Sequence, residues 1–219
     1  NTAVPSVSDP LTLGSQTQCD VCGAAVEAFK DFNGPKRKCG VCGSLERQRT
    51  FASLMKRDKS LLDIKNSKVL LISPSVSEKR LFSALEGLEL TTLDVRAEIK
   101  PDVVADVCDM SKLADGSFNI VFACHVLSHV HDLKTALSEI SRVLWDGGVF
   151  INHEPSSQGA LTRELTDIKE ISAYYGLEAY EKYKVGRFRN FGELDIESRF
   201  MPFFKRTKRE LIDPITDAK

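Results

Sequence analysis

No apolar run in this 219-residue chain approaches the roughly 18 residues needed to cross a bilayer, so no membrane-spanning helix is expected. A charge excess is missing too: 30 Lys and Arg face 31 Asp and Glu, for a formal net charge of -1. Such a chain has no global field to draw it to nucleic acid or an anionic membrane, although local basic patches stay open. The first stretch, Asn1 to Gln18, lacks both a basic start and an apolar core, which argues against a signal peptide. It is rich in Ser, Thr and Pro and reads as a flexible lead-in over 1–18. With no secretory features, a reducing cytoplasmic compartment is expected. What is present is ordinary for a folded domain: 42% hydrophobic and 28% charged residues, enough for one core plus a small appendage.

Four of the six cysteines cluster in two knuckles, Cys19-Asp-Val-Cys22-Gly and, sixteen residues on, Cys39-Gly-Val-Cys42-Gly. Two C-x-x-C turns at that separation present four thiolates to one tetrahedral ion, and Zn²⁺ is the metal that arrangement suits. Two disulfides, redox dithiols or an iron–sulfur site fit the spacing and compartment less well. Gly23, Gly40 and Gly43 stand where the knuckles need positive φ or open amides. A strand over Val26 to Phe32 and a turn at Asn33-Gly34-Pro35 are expected between the knuckles. All four positions are filled by protein ligands, so the ion is read as structural, the source of folding energy for a module without its own core. Ser44 then caps a helix whose apolar side is Leu45, Phe51, Ala52, Leu54 and Met55, with its cations on a solvated face. Cys108 and Cys124 read as small hydrophobes.

From Lys68 strands and helices alternate. Strands are expected at Lys68–Ile72, Glu89–Asp94, Val103–Asp106, Phe118–Cys124 and Val149–Asn152, with helices at Ser75–Leu85 and Asp132–Leu144 and a turn at Trp145–Gly148. That order implies right-handed crossovers and an open α/β sheet with helices on both faces. Such sheets bind ligands at the carboxyl ends of their strands. Ser73, Asp94, Asp106, Cys124, His125, His153 and Glu154 fall there. Asp94, about twenty residues past the first turn, is placed to take both hydroxyls of a ribose, which points to a nucleoside ligand.

Several strings together carry a family resemblance: Asp106-Val-Cys-Asp109-Met110, Asp115-Gly-Ser-Phe-Asn-Ile-Val, His125-Val-Leu-Ser-His129-Val-His-Asp132 and Ser141-Arg-Val-Leu-Trp-Asp-Gly-Gly148. In that order and spacing they resemble a class I S-adenosylmethionine-dependent methyltransferase of the type-eleven group. Cys42-Gly-Ser-Leu-Glu-Arg-Gln-Arg49 is similar to the string that ends a double-knuckle zinc ribbon in bacterial members. The resemblance implies a Rossmann-like core over 67–155, a four-cysteine zinc ribbon over 19–44, a joining helix over 45–66 and a substrate cap and tail over 156–219. It also implies S-adenosylmethionine as methyl donor. Asp94 would hold the ribose, Asp106 and Val107 would meet adenine unless Asp109 and Met110 do so, Ser73 would lie near the methionine carboxylate, and Cys124 and His125 would flank the sulfonium. The chain departs from the group at three places: Ser73-Pro74-Ser75 replaces Gly-x-Gly, Asn119 stands for Asp and Ser128 for Glu.

Methyl transfer needs donor and acceptor in line, plus a base where the acceptor carries a proton. The candidates are His125, His129 and His153. His129 is read either as that base or as packing for the following helix. A second metal on His125, His129 and His131 is a further alternative. A helix is expected over Leu161 to Tyr175. After it, Tyr180, Tyr183, Arg187, Phe188, Arg189 and Phe191 form either a lid for an anionic or aromatic acceptor or an ordinary cap. The charged tail from Lys205 is expected on the surface. The resulting expectation is a small-molecule methyltransferase whose ribbon contacts a protein, RNA or its own domain. An RNA methyltransferase and a non-catalytic binding protein are the alternatives.

Overall fold

A computed structural model describes residues 18–57, except 26, 28, 33 and 35, and residues 66–205. The lead-in before residue 18, the turn residues Asn33 and Pro35 and the tail beyond Lys205 lie outside the described residues. The chain forms two compact units, the first combining the cysteine-rich segment and α1 with residues 76–81, the second the remaining residues.

In the first unit, β1 (Phe29–Lys30) pairs antiparallel with β2 (Lys38–Cys39), far shorter than the strand expected over 26–32. Helix α1 (Glu46–Arg57) buries Phe51, Ala52 and Met55. Ser44 does not cap it as expected. Its hydroxyl lies 3.3 Å from Cys19 Sγ and 3.1 Å from Cys42 Sγ, while the side chain of Gln48 accepts from the Leu45 amide at 2.9 Å. The reading of a solvated cationic face fails at Arg49, only 6% exposed. Its guanidinium donates to the carbonyls of Arg37 and Ser44 and covers the Phe29 ring at 4.5 Å. From residues 76–81, Ser77 donates to the Cys42 carbonyl at 3.0 Å, and Glu78 accepts from Gln48 at 2.9 Å.

The second unit is built on five parallel strands in the order β5 (Val103–Val104), β4 (Glu89–Asp94), β3 (Lys68–Ile72), β6 (Phe118–Cys124), β7 (Leu144–His153). Alternation splits the central strands between two layers. Leu70, Ile72, Val121 and Ala123 face a core shared with Ala136, Leu137 and Ile140 of α3 (Leu133–Val143). On the other side Phe82, near the end of α2 (Val76–Ser83), packs its ring 4.9 Å from that of Phe122. Asp132 caps α3 by accepting from the Thr135 amide at 3.0 Å. Asn119, which stands for the Asp of the group the chain resembles, accepts from the Lys68 amide at 2.9 Å and fixes the start of β3.

Three expectations need correction. The third strand ends at Val104 rather than Asp106. Residues 145–148, expected as a turn, belong to β7 as a bulge: Leu144 pairs with Phe118 and Val149 with Ile120, so four residues stand opposite Asn119 alone. The helix expected over 161–175 is instead β9 (Arg163–Glu164) followed by the short α4 (Ile168–Ser172). The Thr162 amide and hydroxyl are both taken by Asp195, and β9 pairs with the central strand, β10 (Arg189–Gly192), of a small sheet completed by β8 (Ser156–Ser157). Gly192 is obligatory there, since a Cβ would sit 2.2 Å from the Leu161 carbonyl carbon. The described chain ends with α5 (Leu177–Tyr183) and α6 (Ile196–Phe200). No helix among the described residues is long and apolar enough to cross a membrane.

Candidate functional site

The strand order reverses between β3 and β6, and a cavity of about 230 Å³ opens at the carboxyl ends of β3, β4, β5 and β6. Ser73 and His125, the residues that follow β3 and β6, both adopt left-handed backbone, with φ of 46° and 55°. Ser73 therefore makes the turn that glycine makes in the group it resembles, at the strain of a Cβ in that region. Each turn is pinned by its amide, Ser73 to the Leu93 carbonyl at 2.7 Å and His125 to the His153 carbonyl at 2.8 Å. Both residues line the cavity.

Asp94 closes β4 at the cavity wall and is 1% exposed. Burial alone pushes its carboxyl up. The Arg96 side chain and amide, with help from Ser73, outweigh that and hold it below the ordinary carboxylate range. The contact is a bidentate fork, Nε to Oδ1 at 2.9 Å and Nη2 to Oδ2 at 2.8 Å. Sequence spacing carries no sign of this partner two residues on. Tyr183, one of the aromatics read from the sequence as a lid or cap, lines this cavity, as do Tyr175 and Lys184, which no local pattern marks for it. The Tyr183 hydroxyl donates to Glu98.

Residues 126–131 form a 3-10 turn and its flanks, held at both ends by ionisable side chains. Glu154 accepts from the amides of Val126 and Leu127 at 2.8 and 2.7 Å. Arg189, 3% exposed, donates to the carbonyls of Leu127, Val130 and His131 and pairs with Glu164 at 3.1 Å. The acceptor-recognising role open to Arg189 on sequence grounds is thus displaced: its fork is committed to backbone.

His129 lines the cavity with Nδ1 3.1 Å from the Gly186 carbonyl and its ring edge-on to Tyr175. Burial, opposed by that carbonyl and aided by Arg187 and Arg189, lowers its pKa from 6.5 to about 4. The imidazole is neutral at pH 7, and the carbonyl selects the Nδ1–H tautomer, which leaves Nε2 a lone pair. Glu154 runs the other way. Burial raises it from 4.5 to about 7 against the side chain of Ser128 and the amides of 126–128. Below pH 6.5 the unfolded chain takes a proton at His129 that the folded chain refuses until about pH 4, so acid lowers stability through this group. The folded Glu154 keeps its proton to about pH 7 while the unfolded one loses it near 4.5, so stability through this group falls as pH rises across that window. We expect urea midpoints of Glu154→Gln to rise from about pH 4 to 6.5, and those of His129→Gln to fall from about pH 4.5 to 7. Matching profiles in the two variants would refute the assignment.

Asp106 and Val107 also line the cavity, and Asp106 accepts from the Cys108 amide at 2.8 Å. Asp109 is exposed, and Met110 is fully buried in the core, its amide on Glu139 at 2.7 Å. Neither lines the cavity. Cys124 and His153 are half-buried beside His125 but outside the cavity wall, with Cys124 Sγ 3.9 Å from His153 Nδ1. The three histidines considered as a metal set are separated: His125 lies with Cys124 and His153, His131 with Asp106 and Cys108, and His129 on Gly186.

The four clustered thiols converge. Cys19 and Cys42 Sγ are 3.7 Å apart, as are Cys22 and Cys39 Sγ, and all four lie within 4.8 Å of one another. Thiolates on one tetrahedral ion at the usual Zn–S length stand about 3.8 Å apart, whereas a disulfide needs about 2 Å. The knuckles close through Gly23 and Gly43 amides onto the carbonyls of Cys19 and Cys39, with φ of 73° and 74°. Gly40 is not among the positive-φ residues.

Residues 79–152 match the family model of a methyltransferase domain. Among solved structures, a chain of the complex between the Haloferax volcanii Trm112 methyltransferase activator and its methyltransferase partner is similar at 15% identity. The match covers 78% of this chain and 77% of that one, with a TM-score of 0.50. The PH0226 protein of Pyrococcus horikoshii is 19% identical over 74% of this chain and 86% of that one, with a TM-score of 0.47. A 1,6-didemethyltoxoflavin-N1-methyltransferase of Burkholderia thailandensis is 15% identical over 72% and 75%, with a TM-score of 0.45. No curated protein sequence matches.

Proposed function

This chain carries a class I S-adenosylmethionine-dependent methyltransferase domain, and from that premise we propose that it methylates a small-molecule acceptor and folds its N-terminal knuckles around structural zinc. The observation that carries the reading is the buried carboxylate of Asp94 on the wall of a cavity at the strand-order reversal. The donor supplies a methyl group already activated by a positive sulfur, so the protein's task is placement. Asp94 grips the ribose hydroxyls by exchanging part of its Arg96 fork for them. Val107 and Asp106 bound the adenine, Ser73 turns the chain below the methionine end, and His125 stands where β6 meets the cavity. His129, neutral and with Nε2 bare, accepts a proton from an acceptor hydroxyl or amine. Residues 174–185 supply Tyr175, Tyr183 and Lys184 as the outer wall, a shape suited to a compact acceptor. Cys124 and His153 lie beside His125, outside the cavity lining.

Four thiolates at tetrahedral separations leave no open position on a zinc ion, which supports a structural role. Calorimetry with S-adenosylmethionine tests the reading. Asp94→Ala is expected to weaken binding at least tenfold, about 1.4 kcal/mol. Unchanged affinity would place the donor elsewhere, and no heat from the unaltered chain would leave a binding protein. Salt-sensitive retention of RNA by the full chain would turn the acceptor toward nucleic acid.

A further inference from the structure

The resemblance and the comparisons leave Cys124, His125 and His153 without a joint role, yet topology forces them together. Cys124 ends β6 and pairs in register with His153, the last residue of β7. His125, one residue on, hydrogen-bonds its amide to the His153 carbonyl at 2.8 Å, and its left-handed backbone (φ 55°) returns the chain beside that strand. One thiol and two imidazoles converge, their donor atoms all within 4.8 Å of one another.

We propose that Cys124, His125 and His153 form a second metal site, selective for a divalent transition ion of borderline softness such as zinc, with its fourth position open. The donor set is the first argument: one thiolate and two imidazoles suit such an ion and not Mg²⁺ or Ca²⁺, which take oxygen. Spacing is the second. Two imidazoles on one tetrahedral ion at ordinary Zn–N lengths have ring centroids about 5 Å apart, and a thiolate and an imidazole nitrogen stand about 3.6 Å apart. The ring centroids of His125 and His153 are 5.3 Å apart with planes 12° from parallel, so rotation of one ring about its side-chain bonds completes the geometry, and Cys124 Sγ lies 3.9 Å from His153 Nδ1. Backbone placement is the third: Cys124 and His153 end adjacent paired strands and the His125 amide is bonded to the His153 carbonyl, so only side-chain rotation remains when an ion arrives.

Three protein ligands and an open fourth position distinguish this centre from the closed four-cysteine site. His125 also lines the cavity, which puts the open position at its rim. The donor class that completes the shell is an anionic sulfur or oxygen atom. On the methyltransferase reading above, that atom is the acceptor's. An ion held by Cys124, His125 and His153 would acidify that atom and ease the proton loss for which His129 is the proposed base; the atom's lone pair would then form the bond to the methyl carbon while the electrons of the broken carbon–sulfur bond stay on the departing neutral sulfur.

The test is metal stoichiometry of the full chain, dialysed against excess Zn²⁺ alone and then desalted. The unaltered chain is expected to retain two equivalents, Cys124→Ser and His153→Ala one each, and Cys108→Ser two. One equivalent in the unaltered chain would overturn the proposal without reference to any variant. So would two in Cys124→Ser, or loss of the second ion in Cys108→Ser, which would move the site to Asp106, Cys108 and His131. Because the readout is metal content, it is decided independently of whether the cavity binds S-adenosylmethionine. Should two equivalents bind while calorimetry detects no donor, the metal site stands and the methyltransferase reading falls alone.

Discussion

Arg189→Ala is expected to cost about 3–5 kcal/mol of stability, the range for removing one partner of a buried charged network. The side chain is 3% exposed and its guanidinium serves three carbonyls of the 126–131 turn as well as Glu164. Without it, those carbonyls are stranded in a volume shared with Leu127, itself fully buried, and Glu164 is left with Arg199 alone. Lysine keeps the charge but cannot fork, so Arg189→Lys should recover only part of the loss. Denaturant titration gives the magnitude, and hydrogen exchange at 126–131 gives the place. A loss under about 1 kcal/mol would mean that water reaches the turn when the fork is gone.

A larger effect is expected in the other unit. Structural zinc in small cysteine modules carries apparent binding energies of about 10–16 kcal/mol, and that energy is folding energy. Here the buried set around the proposed ion is Cys19, Cys39 and Cys42, with Val21, Ala24 and Phe29 against it, too little apolar surface to hold the knuckles alone. Chelation, or Cys39→Ser, should abolish exchange protection across residues 19–57 while the ladder of β3, β4 and β6 keeps its own. Native protection over 19–57 in a chain verified free of metal would show that packing of α1, with buried Phe51 and Met55, suffices.

Periodicity locates the central sheet well, because apolar runs such as Val69–Ile72 and Ile120–Ala123 can be satisfied only by burial on both faces. The strands Lys68–Ile72, Glu89–Asp94 and Phe118–Cys124 have the bounds expected of them. The cysteine spacing is legible for a different reason: four soft ligands around one ion admit few chain geometries. Past His153 the same reasoning fails. Leu161 to Tyr175 has helical spacing, but Asp195, more than thirty residues away, claims Thr162 and lays the segment along β10. Ser44 is a similar case, because the competitor for its hydroxyl is a pair of thiols brought in from Cys19 and Cys42. Within the candidate site, strand ends point to Asp94 and His125, and Asp106 follows two residues after its strand. The partners that decide their chemistry, Arg96 for Asp94 and Gly186 for His129, are set by loop paths that no local pattern encodes.

The bulge at residues 145–148 has a bearing on self-association. Strand β7 is the last in its sheet order and, at ten residues from Leu144 to His153, long enough to template a neighbouring molecule's strand. With four residues set against Asn119, the regular ladder shrinks to the five pairs from Val149 to His153. Asp146 in the interruption, ion-paired with Lys205, adds a charged pair to an edge that exposes Trp145 and Val149. The irregular stretch thereby acts as a gatekeeper, trading a few backbone hydrogen bonds for resistance to edge-to-edge aggregation.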